Sequence, residues 1–121
     1  MVPLAYHHNW AIGVAKQVSE PLLTCEAVLA EAAFHLHSVS VVLAMVRDGL
    51  VLPAFDCTEH LVQLQTLATR YADRDPDLAD LCLIRMSELH PKLPVITVDR
   101  KDFRIYRRNR REVIPLICPP G

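Results

Sequence analysis

Apolar positions recur at helical spacing in some segments and as short aliphatic runs in others. Between His8 and Val18, the residues Trp10, Val14 and Val18 share one face, which predicts a short amphipathic helix. Pro21 to Thr24 (PLLT) is a short apolar strand. The Thr24 hydroxyl is placed to cap a helix reaching about Leu36, with Glu26 in its first turn, where a carboxylate suits the dipole. The helical pattern resumes from Val39 to Arg47 and ends near Gly49, before a second strand at Leu50 to Pro53 (LVLP). A third long helix is expected from about Asp56 to Tyr71, then a polar loop of Asp73, Arg74 and Asp75. Asp75 followed by Pro76 is the signature of an N-cap with proline at the first helical position. That helix runs to about Leu89 and stops before Pro91. Pro94 to Val98 (PVITV) and Val113 to Ile117 (VIPLI) read as strands. Short apolar strands alternating with helices predict an α/β fold with a parallel sheet covered on both faces.

Composition narrows the class. The 121 residues suit one domain, and 51% hydrophobic with 22% charged residues marks a chain that folds rather than a disordered one. Aromatics make up only 6%, so aliphatic side chains and alanine must fill the core. A formal net charge of -1 excludes a domain that is basic throughout, although not a local basic patch. The longest charge-free apolar stretch, Ala32 to Val46, falls short of the roughly 20 residues a membrane span needs. The start MVPLAYHHNW lacks the pattern of a signal peptide. Cys25, Cys57, Cys82 and Cys118 are far apart in the chain and form no CxxC pair, so buried reduced thiols are expected, in a cytoplasmic protein.

Three carboxylates stand out. Asp99 directly follows the PVITV strand, and open α/β sheets build their sites at the carboxyl ends of strands. The alternative is an aspartate that caps the turn holding Arg100, Lys101 and Asp102. Asp80 lies within PDLADLCLIRMSEL among Ala79, Leu81, Leu83 and Ile84, a costly place for a carboxylate unless it meets a cation or donors. It is read either as a buried salt bridge or as a site residue. Asp77, three residues earlier, suits the helix start. Glu31 sits mid-helix in CEAVLAEAAFHL and by itself reads as a solvated surface glutamate. If three such groups converge, their oxygen donors select Mg²⁺ or Mn²⁺, and the matching chemistry is phosphodiester hydrolysis.

From Arg100 onward, seven basic residues stand against two acidic ones, and the tract RIYRRNRR carries Tyr106 as a possible stacking surface. Such a stretch fits RNA backbone contacts or, equally, a solvated loop. His35 and His37 diverge on their helix, there is no HExxH, and no glycine-rich phosphate loop is present.

Three motifs taken together, LLTCEAVLAEAAFHL, DLADLCLIRMSE and VITVDRKDF, carry a resemblance. Over about His7 to Ile117 the chain resembles the PIN-domain ribonucleases, including the VapC-type toxins of bacterial toxin–antitoxin pairs. The resemblance implies a single domain over residues 1–121 with a three-layer α/β/α fold. It assigns catalytic and metal-holding roles to Glu31, Asp80 and Asp99, with Asp77 as a further ligand and Mg²⁺ (or Mn²⁺) as the ion. Arg100, Arg104, Arg107 and Arg108 would bind RNA. A cognate antitoxin and a homodimer partner are implied in the same way. Two departures matter. Leu81 stands where relatives carry alanine, and no acidic residue precedes Glu20, so the family's first strand and its aspartate are missing. A sheet without its central strand leaves backbone groups unpaired. A misassigned start, a truncated chain, or pairing with another copy or a partner would each account for it. The expectation is an N-terminally incomplete domain with little or no nuclease activity, the alternative role being a non-catalytic RNA- or protein-binding module.

Overall fold

A computed structural model of the chain describes residues 22–93, 95–96 and 104–117. The expected helix at His8 to Val18 lies outside the described residues, as do Pro21, Asp99, Arg100 and Cys118. The structure is mixed α/β. The chain divides into two compact units, Met1–Phe55 and Asp56–Gly121.

In the first unit, β1 (Leu22–Thr24) pairs in parallel with β2 (Val51–Pro53), in the register Leu22↔Val51 and Thr24↔Pro53. The ladder continues at both ends, Leu22 N–H donating to Leu50 O and Ala54 N–H to Thr24 O. Two helices make the crossover that a parallel pair requires: α1 (Glu26–Leu36) and α2 (Val39–Arg47). Thr24 does not cap α1: it is the last strand residue, and the N-cap is Cys25, which supplies no side-chain bond. The break between the helices is local. His37 turns left-handed (φ 53), and Ser38 caps α2 by accepting the Val41 N–H on Oγ at 3.1 Å. At the far end of α2, Gly49 (φ +77) takes the left-handed position that lets Leu50 N–H reach back to Met45 O.

In the second unit, Asp56 opens a 3-10 turn (Cys57–His60) by accepting the Thr58 N–H, and the turn runs into α3 (Leu61–Arg70). Leu64 and Leu67 form the buried stripe of α3. The expected polar loop at 73–75 is a second 3-10 turn (Ala72–Arg74), closed by Asp75 in the left-handed region (φ 48). The N-cap of α4 (Leu78–Leu89) is therefore Asp77, not Asp75, and its Oδ1 accepts the Asp80 N–H at 2.8 Å. A carboxylate that reaches the third N–H of the helix satisfies one of the orphan donors there, which moves the start two residues along. α4 buries Ala79, Leu81, Cys82, Ile84, Met86 and Ser87. It packs on α3 and on β4 (Arg107–Arg108).

β3 (Val95–Ile96) pairs in parallel with β6 (Leu116–Ile117), as the aliphatic pattern predicts. The single strand expected at Val113–Ile117 is two. β5 (Glu112–Val113) pairs antiparallel with β4, and β6 begins only after Ile114 and Pro115. The cause is the turn between β4 and β5, where Asn109 (φ 47) and Arg110 (φ 71) both adopt left-handed backbone and fold the chain back on itself. Tyr106 and Ile114 flank this hairpin and are almost wholly buried. Among the described residues, no helix is long and apolar enough to cross a membrane.

Candidate functional site

The acidic residues fall into separate settings. Glu31 lies mid-way along α1 in the first unit, its carboxylate 3.2 Å from His35 Nε2 one turn on. Both side chains are about half exposed, 46% for Glu31 and 55% for His35. This is the solvated i,i+4 pair of a helix surface, a weak contact.

Asp77 and Asp80 belong to the second unit and to one turn of α4. Asp80 is in the first turn, not the helix interior, so its half-buried carboxylate sits where the helix dipole favours negative charge. Asp80 is thus not the costly mid-helix carboxylate that the sequence suggests. Its backbone is held by Asp77, whose carboxylate serves as the cap. Two hard oxygen donors on one turn suit a divalent cation in kind, yet two do not make a site. Among the described residues, no three His, Cys, Asp or Glu side chains come together to hold a metal. Asp99, the third carboxylate of the expected set, lies outside the described residues.

The arginines differ sharply from one another. Arg108 is buried at 8% exposure. Its Nη1 donates to Ser87 O (3.3 Å), Ser87 Oγ (3.2 Å) and Pro91 O (2.9 Å), and its Nε to Glu112 Oε2 (3.0 Å). It thus satisfies carbonyls at the carboxyl end of α4, where a cation also suits the dipole. Arg107 turns its Nη1 onto the carbonyls of Arg104, Ile105 and Tyr106 and pins its own loop. Its backbone N–H donates to the Tyr71 hydroxyl at 2.8 Å, and Tyr71 stacks edge-on against Tyr106 at 5.0 Å. Of the four arginines expected to meet RNA, two are engaged within the fold. Arg104 is exposed, and Arg100 lies outside the described residues.

Other arginines face open space. A shallow groove is lined by Val62, Gln65, Thr66, Thr69 and Arg70 of α3 and by Arg110 of the β4–β5 turn. The α3 positions recur at helical spacing, opposite the buried Leu64 and Leu67. Arg110 is carried by strained backbone at the turn apex (φ 71). The turn itself is held by Glu88, whose Oε2 accepts the Asn109 N–H at 2.7 Å and whose Oε1 pairs with Arg85. Among the described residues, neither Arg70 nor Arg110 has a carboxylate partner: Arg70 lies 6.0 Å from the Tyr71 ring centroid, and no ion pair includes Arg110. The groove thus presents two guanidinium groups with no carboxylate partner among the described residues, beside amide and hydroxyl groups. Thr66 and Thr69 donate their hydroxyl protons to Val62 O and Gln65 O, which leaves their oxygens as acceptors.

Sequence reasoning did not single out Arg70. The signal was present as the polar stripe of LVQLQTLATR, but a polar stripe is also the ordinary exposed face of an amphipathic helix. Only the approach of the hairpin makes it one wall of a groove. Compared with known proteins, the chain matches no family model and no curated protein.

Proposed function

We propose that this chain is a PIN-like domain of the metal-dependent ribonuclease type, a toxin of a toxin–antitoxin pair, that holds RNA along the α3–hairpin groove. The observation that carries the RNA part is the pair of guanidinium groups, Arg70 and Arg110, one on each groove wall, which meet no carboxylate among the described residues. A phosphodiester backbone is the polymer such a groove fits, because each phosphate accepts charge-assisted bonds and its counter-ions are released on binding. In the sequence, Arg100, Arg104 and Arg111 belong to the same basic tract as Arg110.

The catalytic part rests on the resemblance of the three motifs. Glu31, Asp80 and Asp99, with Asp77, are the carboxylates that would hold Mg²⁺ or Mn²⁺, and the ion would supply a Lewis acid and an activated water for phosphodiester hydrolysis. The homodimer and antitoxin of this reading would cover the aliphatic surface of α1 and α2, where Phe34 (71%), Val39 (63%) and Leu43 (60%) are exposed. A second reading, a non-catalytic RNA-binding module, is favoured by one geometry: the Asp77 carboxylate is already used as a helix cap.

The test is a single-stranded RNA of mixed sequence, followed for binding and for cleavage with and without Mn²⁺. Metal-dependent cleavage that disappears in Asp80→Asn and Asp99→Asn supports the ribonuclease. Binding without cleavage, weakened in a variant carrying Arg70→Ala with Arg110→Ala, supports the module. RNA affinity unchanged by that double substitution removes the groove from both readings.

A further inference from the structure

Cys57 and Cys82 are 25 positions apart in sequence, yet their sulfurs lie 3.4 Å from each other. Cys57 opens the 3-10 turn ahead of α3, and Cys82 sits in the second turn of α4. Cys25 and Cys82 are buried free thiols, as the sequence pattern predicts, and Cys57 is half-buried; what the pattern does not show is that Cys57 and Cys82 are close in space. Core cysteines do pack together as small apolar groups. What sets this pair apart is its asymmetry. Cys82 is wholly buried, at 0% exposure, while Cys57 is only half-buried. Cys57 keeps partial contact with solvent, whereas Cys82 has none.

We propose that Cys57 and Cys82 are a redox-active dithiol that reduces a hydroperoxide and closes to a disulfide. The Cys57 sulfur attacks the outer peroxide oxygen as the O–O bond breaks, which gives a sulfenic acid at Cys57 and one water from hydrogen peroxide. The Cys82 sulfur then attacks the Cys57 sulfur. The S–S bond forms, the S–O bond breaks, and the oxygen leaves as a second water with the proton of the Cys82 thiol. Two thiols lose two electrons, and the peroxide gains them. To reach the bonded distance of about 2.05 Å the sulfurs must close by roughly 1.4 Å. Cys57 is the side that moves. A 3-10 turn of four residues yields more readily than the second turn of a buried α-helix. The linkage would tie the start of α3 to α4, two residues beyond Asp80.

The experiment uses the full chain, reduced, desalted and treated under native conditions with stoichiometric hydrogen peroxide. Trypsin places each of the four cysteines in a different peptide. The expected product is a linked pair of peptides 48–70 and 75–85, with the loss of two titratable thiols that dithiothreitol restores. In Cys82→Ala, Cys57 should stop at the sulfenic acid and be trapped by dimedone. In Cys57→Ala, the Cys82 thiol should stay reduced. Circular dichroism of both variants shows whether they fold. If either does not, the wild-type peptide map decides alone. A wild-type map with Cys57 driven to sulfinic acid while Cys82 stays reduced overturns the proposal. So does a linkage to Cys25 or Cys118, or a map in which all four thiols persist.

Discussion

Replacing Arg108 with methionine separates a structural cation from an RNA-binding one. Methionine keeps most of the stem length and removes the guanidinium. Three acceptors on α4 and just past it, Ser87 O, Ser87 Oγ and Pro91 O, then lose the donor they share, and Glu112 loses its partner at 3.0 Å. The Glu112 side chain is 56% exposed and rehydrates, so the ion pair itself contributes about 1 kcal/mol or less. The carbonyls are the larger loss, because hydrogen bonds to a charged group are worth about 1.5–3 kcal/mol each. Methionine recovers part of this, since a buried thioether carries no desolvation penalty of the guanidinium kind. The net expectation is a destabilisation of about 2–4 kcal/mol, or roughly 10 °C in Tm. Urea unfolding of wild type and Arg108→Met measures it, with Arg108→Lys alongside. Lysine keeps the charge but cannot fork between Glu112 and the end of α4, and it should fall between the other two. An unchanged urea midpoint together with a large drop in RNA affinity would show that the guanidinium meets nucleic acid rather than the end of α4.

Substitutions at three other positions test separate links. Arg110→Gly should leave stability unchanged or raise it by up to about 1 kcal/mol by relieving the left-handed backbone (φ 71), while RNA binding weakens and its salt dependence becomes shallower; a loss of stability would mean that the Arg110 side chain supports the hairpin. Asp77→Ala should cost about 1 kcal/mol through the lost cap, whereas Asp77→Asn, which can still accept the Asp80 N–H, should cost much less; equal losses in thermal melts would point away from capping. Glu31→Gln should change stability by less than about 0.5 kcal/mol, given its exposed pairing with His35; abolished metal-dependent RNA cleavage at unchanged stability is the outcome that would place Glu31 in a catalytic site.

Elements with a local signal were legible along the chain. The strands at 22–24, 51–53 and 95–96, the helices α1 to α4 and the parallel sense of the pairing follow from aliphatic runs and helical spacing, whereas the division into separate two-stranded sheets, β1 with β2 and β3 with β6, does not. Their ends were less so. Thr24 and Asp75 illustrate why: a cap depends on which oxygen reaches which N–H, and the sequence does not show that the backbone at Asp75 turns left-handed and leaves the capping to Asp77. The turn at Asn109–Arg110 was hidden for a related reason, because a run of arginines carries no glycine to announce left-handed backbone.

The sequence by itself determined the alternation of strands and helices, since period and turn chemistry act between neighbours a few residues apart. Tertiary structure alone decided what the polar groups do. It buried Arg108 against the end of α4, placed Arg110 beside Arg70 on the groove, and set two sulfurs 3.4 Å apart. These outcomes depend on which distant segments share a volume, and a linear pattern of charges and thiols has no term for that distance.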